Sequence, residues 1–247
     1  MSPNHSQFAD LRYDDFRKLA RDPSLSRNER IGFPDSFREG YADVIFADIG
    51  AKLPGLAEQG KRVLDIGPGC GELAFKLIDL CRRQGHQLFL ADCEEMLEQL
   101  PDEPFIKKIP GFYPETADTV AQAAHGVDVA VCYSVLHYIY VDANLNEFLD
   151  KSLELLAPGG SILIGDIPNA SKHNRFFESE AGKAFHKETM GYREGPVLKN
   201  PDGQINDSVL LDLISQGRSA GADVYIMPQP WNLPMANRRE DILIRKP

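Results

Sequence analysis

The stretch Val63-Leu64-Asp65-Ile66-Gly67-Pro68-Gly69-Cys70-Gly71-Glu72-Leu73 constrains this chain more than any other. Residues 63–66 read as a short buried strand, apolar apart from one acid. Three glycines follow at alternate positions, and helical periodicity starts near Leu73. A strand, a glycine-rich turn and a helix open a nucleotide-binding α/β unit. Glycine lets the backbone turn sharply and approach a ligand closely, because no Cβ intervenes. The turn feeds a helix N-terminus, whose free N–H groups favour a carboxylate or phosphate.

The spacing narrows the ligand. A dinucleotide fingerprint is G-x-G-x-x-G, and here the third glycine comes one residue early, with Glu72 where that fold wants glycine. An anion there would repel a pyrophosphate. Asp65, at the strand end, suits a cationic ligand group instead. The run Asp65-x-Gly67-x-Gly69-x-Gly71 resembles motif I of the class I S-adenosylmethionine-dependent methyltransferases, whose pattern is acid-x-G-x-G-x-G. That resemblance implies an α/β, Rossmann-like, doubly wound seven-stranded sheet with helices on both faces. The sheet is mostly parallel, with an antiparallel seventh strand slotted between strands five and six. It also implies S-adenosylmethionine as cofactor, held by Asp65, Gly67, Pro68, Gly69 and Gly71.

Downstream segments extend the resemblance. Residues 88–91 read as the second strand, stopping at Asp92. An acid roughly 20 residues past a glycine loop binds ribose hydroxyls; otherwise Asp92 is a helix N-cap. Cys93 and Met96 resemble the family's continuation, where the next side chains pack on adenine. Residues 105–109 read as the third strand and 116–125 as a helix ended by Gly126. The loop between them lacks the acid that many relatives aim at the adenine amino group, so adenine is expected to pack on Phe112 or to be read by backbone. Residues 127–132 read as a central parallel strand. The segment from Tyr133 through His137 to Ile139 resembles the motif IV turn beneath the methyl donor. A leucine-rich helix, Pro158-Gly159-Gly160 and an apolar strand at 161–165 complete that signature.

The flanks are read as additions to one domain spanning 1–247. Residues 1–55 form an N-terminal helical cover, with short helical possibilities near 8–20. Ser36 and Glu39 have capping-box spacing ahead of one amphipathic helix over 37–52, which Pro54-Gly55 ends. Residues 170–205 form an insertion over the acceptor side. Phe176, Phe177, Phe185, Met190 and Tyr192 punctuate it, and Gly191, Gly195, Pro196 and Pro201 break it. The alternative reading is a mobile surface loop. Asn206 or Asp207 caps a last helix ended by Gly221. Residues 223–227 and 241–245 form a terminal strand pair. The proline-rich loop between them carries Trp231, read as an acceptor contact or a hydrophobic plug.

Length and charge set outer bounds. A chain of 247 residues fits one large domain with a sizeable core. A net charge of -10 argues against a nucleic-acid groove as the main surface. The four cysteines, Cys70, Cys81, Cys93 and Cys132, show no metal-ligand spacing and read as free thiols of a reducing compartment. No apolar run reaches the ~20 residues that span a bilayer, and the N-terminus shows no secretory pattern. The expected setting is cytoplasmic, with no nucleic-acid partner, no membrane insertion and no metal.

The expected activity is methyl transfer to a small-molecule acceptor, with a hydroxyl favoured. An oxygen acceptor needs its proton removed, and a positioned base helps by roughly 10²–10⁴-fold. His137, Asp166 and His173 are the candidates. His137 leads because its segment faces the donor and histidine titrates near neutrality; its alternative role is local packing. Residues 234–241, with the insertion, loosely resemble bacterial methyltransferases of surface-polysaccharide synthesis, which implies a sugar or sugar-nucleotide acceptor. Arg238 and Arg239 read as an anion contact or as a solvated turn. Two other classes stay open: a nicotinamide-dependent oxidoreductase, and a non-catalytic binding protein on the same fold.

Overall fold

The computed structural model describes residue 8, residues 11–190 and residues 195–247. Ala9, Asp10, Gly191 and Tyr192, and the side chain of Met190, lie outside the described residues. Seven strands form one sheet: β1 (Arg62–Ile66), β2 (Gln87–Asp92), β3 (Ile106–Pro110), β4 (Val127–Tyr133), β5 (Leu156–Pro168), β6 (Asp223–Met227) and β7 (Arg239–Arg245). Their order is β3-β2-β1-β4-β5-β7-β6. The first five in that order are mutually parallel, and β7 runs antiparallel to both β5 and β6. This is the doubly wound, Rossmann-like sheet that the sequence implies, with its antiparallel strand between the fifth and sixth.

Successive strand residues point to opposite faces, and both faces are covered. Val63, Leu88, Leu90, Val129, Val131 and Leu163 face α4 (Ala42–Lys52) and α5 (Glu72–Gln84). Leu64, Ile66, Ala130, Cys132, Ile162 and Ile164 face the other layer. That layer comprises α7 (Ala117–Ala124), α8 (Leu136–Asp142), α9 (Leu145–Leu155) and α12 (Asp207–Ser219). Each such side chain gains about 1.5–3 kcal/mol on full burial, so a strand apolar on both faces is fixed in the middle of the sheet. The order reverses between β1 and β4, and the cleft opens at their carboxyl ends.

The N-terminal segment departs from its expected form. The single helix over 37–52 is two: α3 (Asp35–Arg38), and α4 beginning at Ala42. Glu39 caps the C-terminus of α3, and Gly40 turns the chain at φ +78°. The capping box lies ten residues earlier, at Ser26 and Glu29 of α2 (Arg27–Arg30). Breaking the helix at Gly40 lets Arg38 point into the sheet rather than along a helix surface. Before α2, α1 (Tyr13–Arg21) is anchored by Arg17 and Arg21 on Glu95, next to Met96 of α6 (Glu94–Leu97).

Residues 170–190 are also helical, as α10 (Ala170–Glu178) and α11 (Glu180–Met190). Asn169 caps α10, and Phe176, Phe177 and Phe185 pack edge to face between the two helices. Strand β5 runs through Pro158-Gly159-Gly160, expected as a turn, because Leu156 pairs with Val127 before a register shift. Asn206 caps α12, accepting from Ser208 and Val209 N–H groups. All four cysteines are free and buried. No helix among the described residues is long and apolar enough to cross a membrane.

Candidate active site

The glycine loop leaves β1 with Gly67 at φ +68° and Gly69 at φ +60°. A Cβ on Gly67 would stand 2.6 Å from Val135, and one on Gly69 2.6 Å from Ile31. Backbone conformation and crowding therefore both require glycine there. Asp92 closes the loop from the next strand. Its Oδ2 accepts the Gly69 N–H at 2.8 Å and its Oδ1 the Cys93 N–H at 2.7 Å. Burial pushes its carboxyl up to about 6 against the pull of those bonds. Asp65, 6% exposed, has no hydrogen-bond donor among the described residues. Burial and the charge of Asp92 push it up to about 8.

A cleft of ≈ 1100 Å³ opens over this loop. Gly67, Pro68, Gly69, Gly71, Asp92, Met96, Phe112 and Tyr133 line it. Asp65, Cys93, His137 and Asp166 do not. Cys93 packs behind the lining with Cys70, Met96 and Ala20. Glu72 lines the cleft at the start of α5, which disfavours a pyrophosphate there. The N-terminal segment supplies the opposite wall through Tyr13, Phe16, Ile31, Phe33 and Arg38. Tyr13 meets Phe112 edge to face at 5.0 Å, and Phe16 meets Tyr138 at 4.7 Å. None of these wall residues stood out in the sequence.

At the other end of the cleft, two non-glycine residues are in the left-handed region, one just after β4 and one inside β5 at the register shift before its end. Ser134 has φ +63° and Asp166 φ +57°. Such backbone costs of order 1–3 kcal/mol per residue and persists where surrounding contacts hold it. The contacts here are explicit. Asp166 Oδ2 accepts from Ser134 Oγ at 2.6 Å and from Arg38 Nη2 at 2.7 Å, and Arg38 Nη2 also reaches Ser134 Oγ at 2.6 Å. Arg239 donates to the Asp166 carbonyl at 2.8 Å, and Asp241 accepts the Asp166 N–H at 2.8 Å. Asp241 also takes Lys52 at 2.6 Å, which bonds Asp48 in turn. Burial opposes ionisation of Asp166, but Arg239, Arg38 and the Ser134 hydroxyl hold its pKa below the ordinary value.

Arg38 is 7% exposed, and its Nε and Nη1 have no hydrogen-bond partner among the described residues. His137 Nδ1 is likewise buried without one. The His137 ring lies against Tyr138, centroids 3.9 Å apart, and burial with the nearby Arg239 pushes it down to about 3. Trp231 is 93% exposed and lies outside the cleft, so it is neither the acceptor contact nor the plug expected. His173 lies on α10 against Phe177, away from the cleft lining.

Comparison with known proteins agrees with this geometry. No curated protein matches the sequence at a significant level. The fold is shared with the N-methyltransferase NodS of Bradyrhizobium japonicum WM9, solved with S-adenosyl-L-homocysteine. That match has 15% identity and a TM-score of 0.54, and covers 96% of this chain and 100% of that one. A SAM-dependent methyltransferase from Archaeoglobus fulgidus matches at 15% identity and TM-score 0.52, covering 86% and 97%. The carbon methyltransferase CurJ matches at 14% and 0.54, covering 97% and 68%. The family described as "Methyltransferase domain" matches residues 37–198, from just before Arg38 through the glycine loop and both left-handed residues, Ser134 and Asp166. The chain belongs to that family, and is an S-adenosylmethionine-dependent class I methyltransferase.

Proposed function

We propose that the chain methylates a small-molecule acceptor, preferentially at a hydroxyl, at the end of the cleft marked by Ser134 after β4 and Asp166 near the end of β5. The observation that carries this reading is the enclosure of that end by the N-terminal wall, from Tyr13 to Arg38. A cleft walled in this way admits a small acceptor more readily than a folded macromolecule. The fold leaves the acceptor atom open, since structures sharing it are named as nitrogen and carbon methyltransferases.

The residues fit the cofactor. A zwitterionic amino-acid tail needs one anion and one cation buried near the glycine loop. Asp65 is a buried carboxyl with no donor of its own, and Arg38 offers an unpaired Nε and Nη1 edge to the cleft. Asp92 would take the ribose hydroxyls, as a carboxylate can accept from both. Gly67, Pro68, Gly69 and Gly71 would form the floor. Tyr133 would flank the reacting end, while Met96 and Phe112, with Cys93 behind them, would flank the adenine. When bound, the donor supplies an electrophilic methyl group on a sulfonium, with a neutral thioether as leaving group.

The protein's own part is then alignment and exclusion of water, which carry much of the rate in a displacement of this kind. Phe16, Ile31 and Phe33 would shut solvent out. We assign His137 to take the hydroxyl proton, but it lies behind the cleft lining with its pKa pushed down to about 3. This role requires the ring to turn its Nδ1, which has no partner among the described residues, to the acceptor and to regain basicity there. Asp166 is committed to Arg38 and Ser134, and its assigned role is to hold that end of the site charged and rigid. In the same reading, residues 1–55 and 170–205 belong to one domain and cover the donor and acceptor sides.

Calorimetric titration with S-adenosylmethionine and S-adenosylhomocysteine tests the donor site. Micromolar binding is expected, weakened at least tenfold in Asp92→Ala. An acceptor screen of matched alcohols and amines follows. Turnover of amines alone would overturn the hydroxyl preference.

A further inference from the structure

Beside the cleft, the chain gathers cations that its acids do not balance. Lys199 is held in place by α10: Asn174 Oδ1 accepts the Lys199 N–H at 2.8 Å, and Asn174 Nδ2 donates to the Lys199 carbonyl at 2.8 Å. The neighbouring His173 packs on Phe177 at 4.6 Å, and the Arg238 guanidinium lies over the same ring at 5.8 Å. Arg238 is partly buried, and among the described residues its guanidinium makes one hydrogen bond, to the Asn237 side chain at 3.3 Å. Arg239 follows, 3.7 Å from the Asp166 carboxylate. That carboxylate is already bonded by Arg38. The other nearby acid, Glu240, is taken by Asn169 and Lys172. Asp166 therefore faces Arg38, Arg239 and Arg238 with a single negative charge.

The crowding of like charge shows on Lys199, Arg238 and His173. Partial desolvation and the charges of Arg239 and Arg238 lower Lys199, whose side chain stays exposed. Burial and Arg239 lower Arg238. Burial, Lys199 and Arg238 lower His173. In a chain of net charge -10 such a knot is not general surface character. It is a local field of one sign, which concentrates anions. Its position follows from contacts: Arg239 lies 3.7 Å from Asp166, and Asp166 is bonded by Arg38 and Ser134 of the cleft lining.

We propose that Lys199, Arg238 and Arg239 form an anion-binding subsite on the acceptor side of the cleft, so that the methyl acceptor carries a carboxylate or a phosphate group. This rests on the donor reading above, because the subsite is placed relative to that cleft. An acceptor anchored there by its anion would be gripped away from the reacting atom. Binding energy taken at a remote group then serves to orient the hydroxyl. Arginine at two of the three positions suits a planar or tetrahedral oxyanion, which its forked donors engage in pairs.

The test separates the two readings. Isotope-labelled protein saturated with S-adenosylhomocysteine is titrated with inorganic phosphate, with acetate, and with glycerol as the neutral control, following the amide signals of residues 172–175, 199 and 237–239. Saturable shifts are expected with phosphate or acetate and not with glycerol. A response to one anion alone identifies which group the acceptor carries. Lys199→Met with Arg238→Gln is expected to weaken anion binding at least tenfold at unchanged S-adenosylhomocysteine affinity. Lys199→Arg in an otherwise native chain retains binding. Asn174→Ala, which removes no charge but releases the Lys199 backbone, weakens it by a smaller factor. No saturable anion shift in protein that binds S-adenosylhomocysteine overturns the subsite, as does anion binding indifferent to the double variant. Failure to bind S-adenosylhomocysteine overturns the donor reading instead, and the same titration of unliganded protein then judges the subsite alone.

Discussion

Arg38 and Asp65 show how much single buried charges decide here. Arg38 donates to Asp166 and Ser134 from one nitrogen, stacks over Phe33 at 4.0 Å, and leaves two buried nitrogens without a partner among the described residues. Removing one partner of a buried pair leaves the other charge uncompensated and costs about 3–5 kcal/mol. Arg38→Met is expected to lower the unfolding free energy by about that much in urea. Adding Asp166→Asn should recover part of the loss, and an additive double variant would show the pair to be uncoupled. Asp65 makes stability depend on pH. An acid whose folded pKa is raised binds protons more tightly when folded. Its stabilising contribution is complete below the ordinary ~3.9 and is lost as pH rises through the folded value. With Asp92 up at about 6 and Asp65 up at about 8, these two carboxyls should cost the ligand-free protein stability from about pH 4 to pH 8. They are opposed below about pH 6.5 by His137, whose folded value is down at about 3; the clearest loss falls between about pH 6.5 and pH 8. Asp65→Asn should flatten the upper part of that slope in melts at pH 6 and pH 8, while weakening S-adenosylhomocysteine binding.

At the scale of elements, the glycine loop and its cover act as one unit. Gly69 is left-handed and lies under Ile31, so Gly69→Ala meets both backbone strain and a side chain. The strain alone is about 1–2 kcal/mol. Ile31→Ala on top of Gly69→Ala should relieve the steric part and leave the strain. A double-mutant cycle on melting temperature and S-adenosylhomocysteine affinity measures the split. This loop was readable because its signals are local: the strand, the glycines and Asp92 fall within 30 residues, each obeying its own backbone rule. The helix over 37–52 misled because Ser36 and Glu39 satisfy capping spacing, while the break at Gly40 serves a contact 128 residues away. Helices α10 and α11 were hidden for a related reason. Their order comes from Phe176, Phe177 and Phe185 packing on one another and from the Asn169 cap, not from a long amphipathic stripe.

For the whole molecule, the cofactor side and the acceptor side differ in how the chain builds them. The residues proposed to hold the donor, from Asp65 to Phe112, follow one another along β1, β2 and β3. The acceptor end is assembled from four distant places: Arg38, Ser134, Asp166 and the pair Arg239 and Asp241. That is why the sequence named His137 and Asp166 without Arg38 or Ser134. Polar residues in loops carry no periodicity, and their pairing is set by sheet order alone. The family match ends at residue 198, so Lys199, Arg238 and Arg239 lie outside the shared region. The wall from Tyr13 to Phe33 lies outside it at the other end.

Strand β7 has a consequence for how the molecule comes into being. Among the described residues its neighbours are β5 and β6 alone, and β6 pairs only with β7. A ribosome therefore releases β6 before the strand it must bond to exists. Asp241, which receives Lys52, Gln229 and the Asp166 amide, follows later still. During synthesis, the glycine loop can settle against Asp92 while the far wall still waits for its keystone.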